Sequence, residues 1–166
     1  KSQPDLFKKS EGVLARIEVG NRVGEWARTL WPEGVLIPSE NRTDLTRQHL
    51  AAGTPVLFEA AFETLLGTTI PDVLELLPDG TFRVWEVKAA TAAKKYIEEV
   101  AFILWVLRHA GLRVSEIGLI YLDKEVVWEN APLPPPHALV KEVVTRQAED
   151  ALGRLEAEFE ALARFY

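Results

Sequence analysis

Pro78-Asp79-Gly80, set between two β-forming runs, constrains this chain more than any other stretch. Pro presets the first position of a type I turn, and Gly supplies the left-handed residue that closes a three-residue hairpin loop. Such a loop pairs Leu77 with Thr81. Counting outward by five residues on each side, Asp72 then faces Glu86. Opposed residues share a face of the sheet, with Cβ atoms about 4.5–5.5 Å apart. Lys88 lies two residues beyond Glu86 and shares that face. A loop one residue shorter or longer would send the two carboxylates to opposite faces.

The preceding hairpin is expected to turn near Leu66-Gly67, between strands over residues 55–64 and 69–77. That turn sets Ala61 roughly opposite Asp72, with Glu59 and Glu63 flanking it. Phe82–Lys88 forms the third strand of the meander.

The other elements follow from periodicity. Apolar residues recur at helical spacing from Glu11 to Trp31, and Pro32 and Gly34 stop that helix. Val35-Leu36-Ile37 is a short extended piece. Thr43–Ala52 reads as a second helix, with Thr43 as N-cap and Gly53 as its stop. Thr91–Ala110 is a third helix, apolar nearly all round between Val100 and Leu107 and therefore buried. Ser115–Leu122 is a strand, and Asp123-Lys124 suits a tight turn into a short strand over Glu125–Glu129. After the stiff connector Ala131–Pro136, His137–Tyr166 reads as one long helix, placing Leu139 and Val143 on its apolar side. Three hairpin strands, a crossover helix and a further strand define an α/β chain with a mixed sheet flanked by helices. Residues 1–130 are expected to form the core. Residues 131–166 are the connector and a C-terminal helix that packs on the core or on a partner.

Two carboxylates facing each other repel unless a cation lies between them. Lys88 can supply one, and a hard divalent ion such as Mg²⁺ or Mn²⁺ does so better. Asp72, Glu86 and the Val87 carbonyl make half an octahedron, leaving room for water and a phosphate oxygen. Lys88 then orients or deprotonates the attacking water, or stabilises developing charge. On spacing alone, Glu-x-Lys also suits a solvated strand face; helices over both faces favour a buried cluster. Glu59 is a third acidic candidate, or else the structural partner of Lys88 or an arginine.

Composition narrows the alternatives. The chain has 166 residues, no cysteine and a net charge of −6. Disulfides, thiolate zinc and iron–sulfur ligation within it are thereby excluded, while oxygen-ligated metals remain. The acidic balance argues against a large nucleic-acid footprint but allows a local basic patch. No apolar run reaches the ~20 residues of a membrane span. Nothing at the start resembles a signal peptide, and the lack of methionine reads as a fragment or a processed start. With no cysteine in the chain, the expected setting is cytoplasmic. His49, His109 and His137 have no metal-ligand spacing to one another. Trp26, Trp31, Trp85 and Trp105 sit at core positions.

Pro71-Asp72 followed by Glu86-Val87-Lys88 resembles the signature of the PD-(D/E)xK nuclease superfamily. The closest resemblance is to its RecB-like branch, notably a family of uncharacterised bacterial proteins. It covers about residues 4–129, through Gly20–Arg28, Phe58–Glu63, Trp85–Thr91 and Val100–Leu112. The resemblance implies a restriction-endonuclease-like core that hydrolyses DNA, single- or double-stranded, with Mg²⁺ or Mn²⁺. It implies Asp72 and Glu86 as metal carboxylates and Lys88 as the catalytic lysine. Gly24 stands where the branch often carries a metal-binding His, so Glu25 or Glu59 would have to substitute. Phe102–Trp105 stands where it usually carries Gln. Lys94, Lys95 and Tyr96 are the expected contacts to the phosphate backbone. The branch's flanking cysteines, if they exist, lie outside this chain. The rival expectation is a catalytically degenerate nuclease-like module, serving for binding or scaffolding in a larger protein or homodimer.

Overall fold

A computed structural model describes residues 11–65, 67–126 and 138–164. The chain runs α1 (Glu11–Arg28), β1 (Val35–Leu36), α2 (Arg42–Ala51), β2 (Val56–Phe58), β3 (Phe62–Thr64), β4 (Gly67–Thr69) and β5 (Val73–Leu76). It continues with β6 (Phe82–Lys88), a 3-10 turn (Lys94–Tyr96), α3 (Ile97–His109), β7 (Val114–Leu122), β8 (Leu139–Val143) and α4 (Thr145–Ala163). The main sheet has the order β1-β2-β5-β6-β7-β8. β2, β5 and β6 form an antiparallel meander. α3 then crosses over so that β7 lies parallel to β6. The architecture is therefore mixed α/β, with a mixed sheet and a C-terminal helix.

The Pro-Asp-Gly hairpin has the expected register. Leu76 faces Phe82 and Val73 faces Trp85. The Leu77 N–H donates to the Thr81 carbonyl at 2.8 Å, and Gly80 takes φ +74°. The Asp79 carboxylate accepts from the Thr81 N–H and hydroxyl, locking the loop.

The earlier hairpin differs. The strand expected over residues 55–64 breaks at Glu59, which adopts a left-handed φ of +55°. β2 ends at Phe58, opposite Val73, so Glu59 rather than Ala61 faces Asp72. β3 and β4 leave to form their own two-stranded sheet. Pro71, which has no N–H to give a ladder, separates β4 from β5 on the partner side. Glu63 goes with β3, exposed and in a different sheet from Asp72.

The second correction lies near the C-terminus. Leu139–Val143 is a strand, not the start of a helix, and pairs antiparallel with β7 from Leu122↔Leu139 to Gly118↔Val143. The β-branched Val140 and Val143 favour this, and the open edge of β7 needs hydrogen-bond partners that a helix cannot supply. The helix starts only at Thr145, whose hydroxyl accepts the Ile117 N–H. Residues 125 and 126 are not a strand; the rest of the expected Glu125–Glu129 strand, the connector and His137 lie outside the described residues. Two helix starts also shift. α2 is entered from Asn41, in the left-handed region, instead of Thr43. α3 begins at Ile97, after the 3-10 turn, instead of at Thr91.

Both sheet faces are covered. On one, Leu57, Leu74, Val84, Ile117 and Leu119 pack with Trp105 and Leu104 of α3 and Ala148 and Leu152 of α4. On the other, Phe58, Val73, Trp85 and Ile120 pack with Ala27 and Trp31. The four core tryptophans are buried as expected. Among the described residues no helix is long and apolar enough to cross a membrane.

Gly118 lets β8 approach the Trp85 ring. A Cβ there would lie 2.4 Å from the indole and 2.6 Å from the Glu142 carbonyl oxygen. Gly118→Ala is expected to lower unfolding free energy by about 1–3 kcal/mol, the usual range for overpacking, read as a lower urea midpoint.

Candidate functional site

The hairpin register carries Asp72 and Glu86 to the same end of the sheet. Asp72 directly precedes β5, and its carbonyl accepts the Glu59 N–H at 3.1 Å. Its Oδ2 accepts the Val87 N–H at 2.6 Å, so one carboxylate ties β5 to β6. Glu86 lies two residues beyond Val84 on β6, so it shares the face that Val84 turns toward α3. It is 9% exposed. Its Oε1 accepts from Lys88 Nζ at 2.8 Å. Its Oε2 is buried with no hydrogen-bond partner among the described residues. A buried charged oxygen without a partner is costly. Lys88 Nζ also donates to Glu99 Oε1, in the first turn of α3, at 2.8 Å.

Electrostatics follow from this packing. Burial, then the neighbouring Asp72, pushes the Glu86 carboxyl up to about 7, against the pull of Lys88. Asp72 is also raised, mainly by burial; the Val87 N–H and Lys88 oppose the rise, and Glu59 adds to it. Burial alone would depress Lys88, but Glu86 and Glu99 outweigh it and hold the ammonium above its ordinary value.

Glu59 has arginine partners. Its carboxylate bridges Arg28 of α1 at 3.0 Å and Arg42 of α2 at 2.9 Å. Glu25, Arg28, Glu59, Asp72 and Val87 line one cavity of about 240 Å³. Glu25 is exposed at its edge, while Glu86 and Lys88 are not among its lining residues. The structure thus ties Asp72 to Val87 and Glu86 to Lys88, sets Glu59 against Asp72 through their backbones and the shared cavity, and brings Glu25 to Asp72 only through that cavity. Among the described residues, no three His, Cys, Asp or Glu side chains form a group that could hold a metal ion. The available donors are the Asp72–Glu86 pair and the Val87 carbonyl. Their chemistry fits a hard divalent cation: all are oxygens, one is buried without a partner among the described residues, and the Asp72 charge helps to raise Glu86.

Lys94 and Lys95 are exposed on the 3-10 turn that follows β6. The Tyr96 ring centroid lies 4.9 Å from Lys95 Nζ and 5.3 Å from Lys88 Nζ, within cation–π range of both. The turn therefore brings its basic residues to the end of β6 that carries Lys88. His49 and His109 serve locally, bonded to the Thr54 hydroxyl and the Trp105 carbonyl.

Arg28, Arg42 and Glu99 were not expected at the site. Arg28 and Arg42 come from separate helices and meet only at Glu59. Glu99 is one of two acids in the first turn of α3, where any acid suits the helix dipole. No protein-family model matches the chain, and no curated protein matches it.

Proposed function

We propose that the protein is a metal-dependent nuclease with a restriction-endonuclease-like, PD-(D/E)xK core, hydrolysing DNA phosphodiester bonds with water as nucleophile. The observation that carries this reading is the buried Glu86 Oε2 beside Asp72, which has no hydrogen-bond partner among the described residues, with Lys88 2.8 Å from the other Glu86 oxygen. Two desolvated carboxylates kept this close favour a cation over solvent. Asp72, Glu86 and the Val87 carbonyl would hold Mg²⁺ or Mn²⁺, which when bound supplies Lewis-acid polarisation of a phosphoryl oxygen.

The chain's own residues supply the rest. Lys88 is held protonated, so it stabilises negative charge developing on the phosphoryl oxygens instead of abstracting a proton. Glu99 and Glu86 fix its ammonium from two sides. Lys94, Lys95 and Tyr96 hold the DNA backbone at the same end of the sheet, and single or double strands both present the phosphates they need. The Val87 N–H holds the Asp72 carboxylate in place.

A second reading is a degenerate, non-catalytic binding or scaffold module. It is favoured by the engagement of Glu59 with Arg28 and Arg42, which leaves the Asp72–Glu86 pair without that third carboxylate. One assay separates the two: incubation with single- and double-stranded DNA and Mn²⁺, beside Asp72→Ala and Lys88→Ala. The nuclease reading expects cleavage by the native protein that both substitutions abolish. Equal inactivity of all three proteins favours the module.

A further inference from the structure

A cavity of about 660 Å³ opens beside the Asp72–Glu86–Lys88 cluster, between β7, β8 and the leading ends of α3 and α4. We propose that it is a nucleoside-monophosphate subsite that takes the nucleotide next to the scissile phosphate. The assignment of its place in a reaction rests on the nuclease reading above; the binding itself does not.

Register locates the subsite. Tyr121 of β7 is the ladder partner of Lys88, so their side chains leave the same face of neighbouring strands. Tyr121 lines the cavity, and its hydroxyl donates to Glu142 Oε2 at 2.6 Å, which fixes the ring. Ala93, Ile97 and Val140 add apolar wall. Lys94 and Lys124 bring two ammonium groups to the lining, Asp123 and Glu142 two carboxylates, and Gln147 an amide.

These groups select a class of ligand. The volume lies within the roughly 300–1,000 Å³ of clefts that enclose small molecules. Inorganic phosphate would satisfy the lysines but leave the apolar wall and the tyrosine ring unused. A purely apolar ligand would cut these charged groups off from water and give them no hydrogen bonds in return. A planar base carrying a phosphate uses both: the base against Tyr121, Ile97 and Val140, and the phosphate on Lys94 or Lys124. Gln147 and Glu142 offer hydrogen-bonding groups to a base edge.

Calorimetric titration of the intact, metal-free protein with dAMP, dCMP, dGMP, TMP and inorganic phosphate tests this. Nucleotides are expected to bind at least tenfold more tightly than phosphate. Tyr121→Ala should weaken them about tenfold, Tyr121→Phe should retain binding, and Ala92→Trp, which fills the cavity from an exposed position, should abolish it. Circular dichroism checks that each variant is folded. Absence of nucleotide binding, or binding unchanged by both Tyr121→Ala and Ala92→Trp, overturns the proposal. DNA cleavage without nucleotide binding sinks the subsite and leaves the nuclease reading standing. Variant-sensitive nucleotide binding without cleavage supports the subsite and sinks the nuclease reading.

Discussion

Lys88→Ala is expected to lower DNA cleavage by about 10²–10³-fold, the usual loss when one preorganised donor to a developing anion is removed. The side chain leaves the end of β6, with its ammonium 2.8 Å from both Glu86 and Glu99. Two carboxylates hold it protonated and in one place, so little reorganisation is needed when charge develops nearby. Alanine removes the donor without disturbing the packed core, since neither core cluster includes Lys88. Binding of Mn²⁺ should survive or strengthen, because Glu86 loses its internal counter-charge. Single-turnover cleavage with saturating Mn²⁺ reads the effect. A rate within threefold of the native protein would remove Lys88 from the chemistry.

The second large effect is on stability. The Glu86 carboxyl is raised from 4.5 to about 7, so the folded protein holds that proton more tightly than the unfolded chain does. The associated stability is fully present below pH 4.5. It is lost as pH rises through 7, and the loss is of order 3 kcal/mol. Glu86→Gln keeps the shape and removes the ionisation. The metal-free variant should therefore be more stable than the native protein at pH 8 by about 1–3 kcal/mol, and the advantage should vanish near pH 4.5. Lys88 keeps Glu99 as a partner in that variant, which limits the cost of the exchange. Saturating Mn²⁺ should reverse the ranking at pH 8, because only the native carboxylate gains from the ion. Urea titrations of both proteins at pH 4.5 and 8, with and without Mn²⁺, measure all of this. Parallel pH profiles for the two proteins would contradict it.

The part of the site legible in the sequence is the part governed by local turn chemistry. Pro78-Asp79-Gly80 dictates a loop, the loop dictates register, and register sets Asp72 opposite Glu86 with Lys88 on the same face. The buried centre of α3 was equally plain, because a run with no polar face has nowhere to go but the core. Glu59 was not legible in the same way. Its left-handed backbone is uncommon for a residue with a side chain, and it breaks a run that otherwise reads as one strand. Its two arginine partners meet it only after α1 and α2 have packed. β8 was hidden for the opposite reason. Leu139 and Val143 fit a helical period as well as a strand, and the deciding factor is the unpaired edge of β7, which no local window contains.

Calorimetric titration of Mn²⁺ into the metal-free protein at pH 8, beside Asp72→Ala and Glu86→Gln, tests the cation-holding carboxylate pair most directly. Saturable binding to the native protein, weakened at least tenfold by either substitution, is the predicted result. No binding to the native protein, or equal binding to all three, would contradict it.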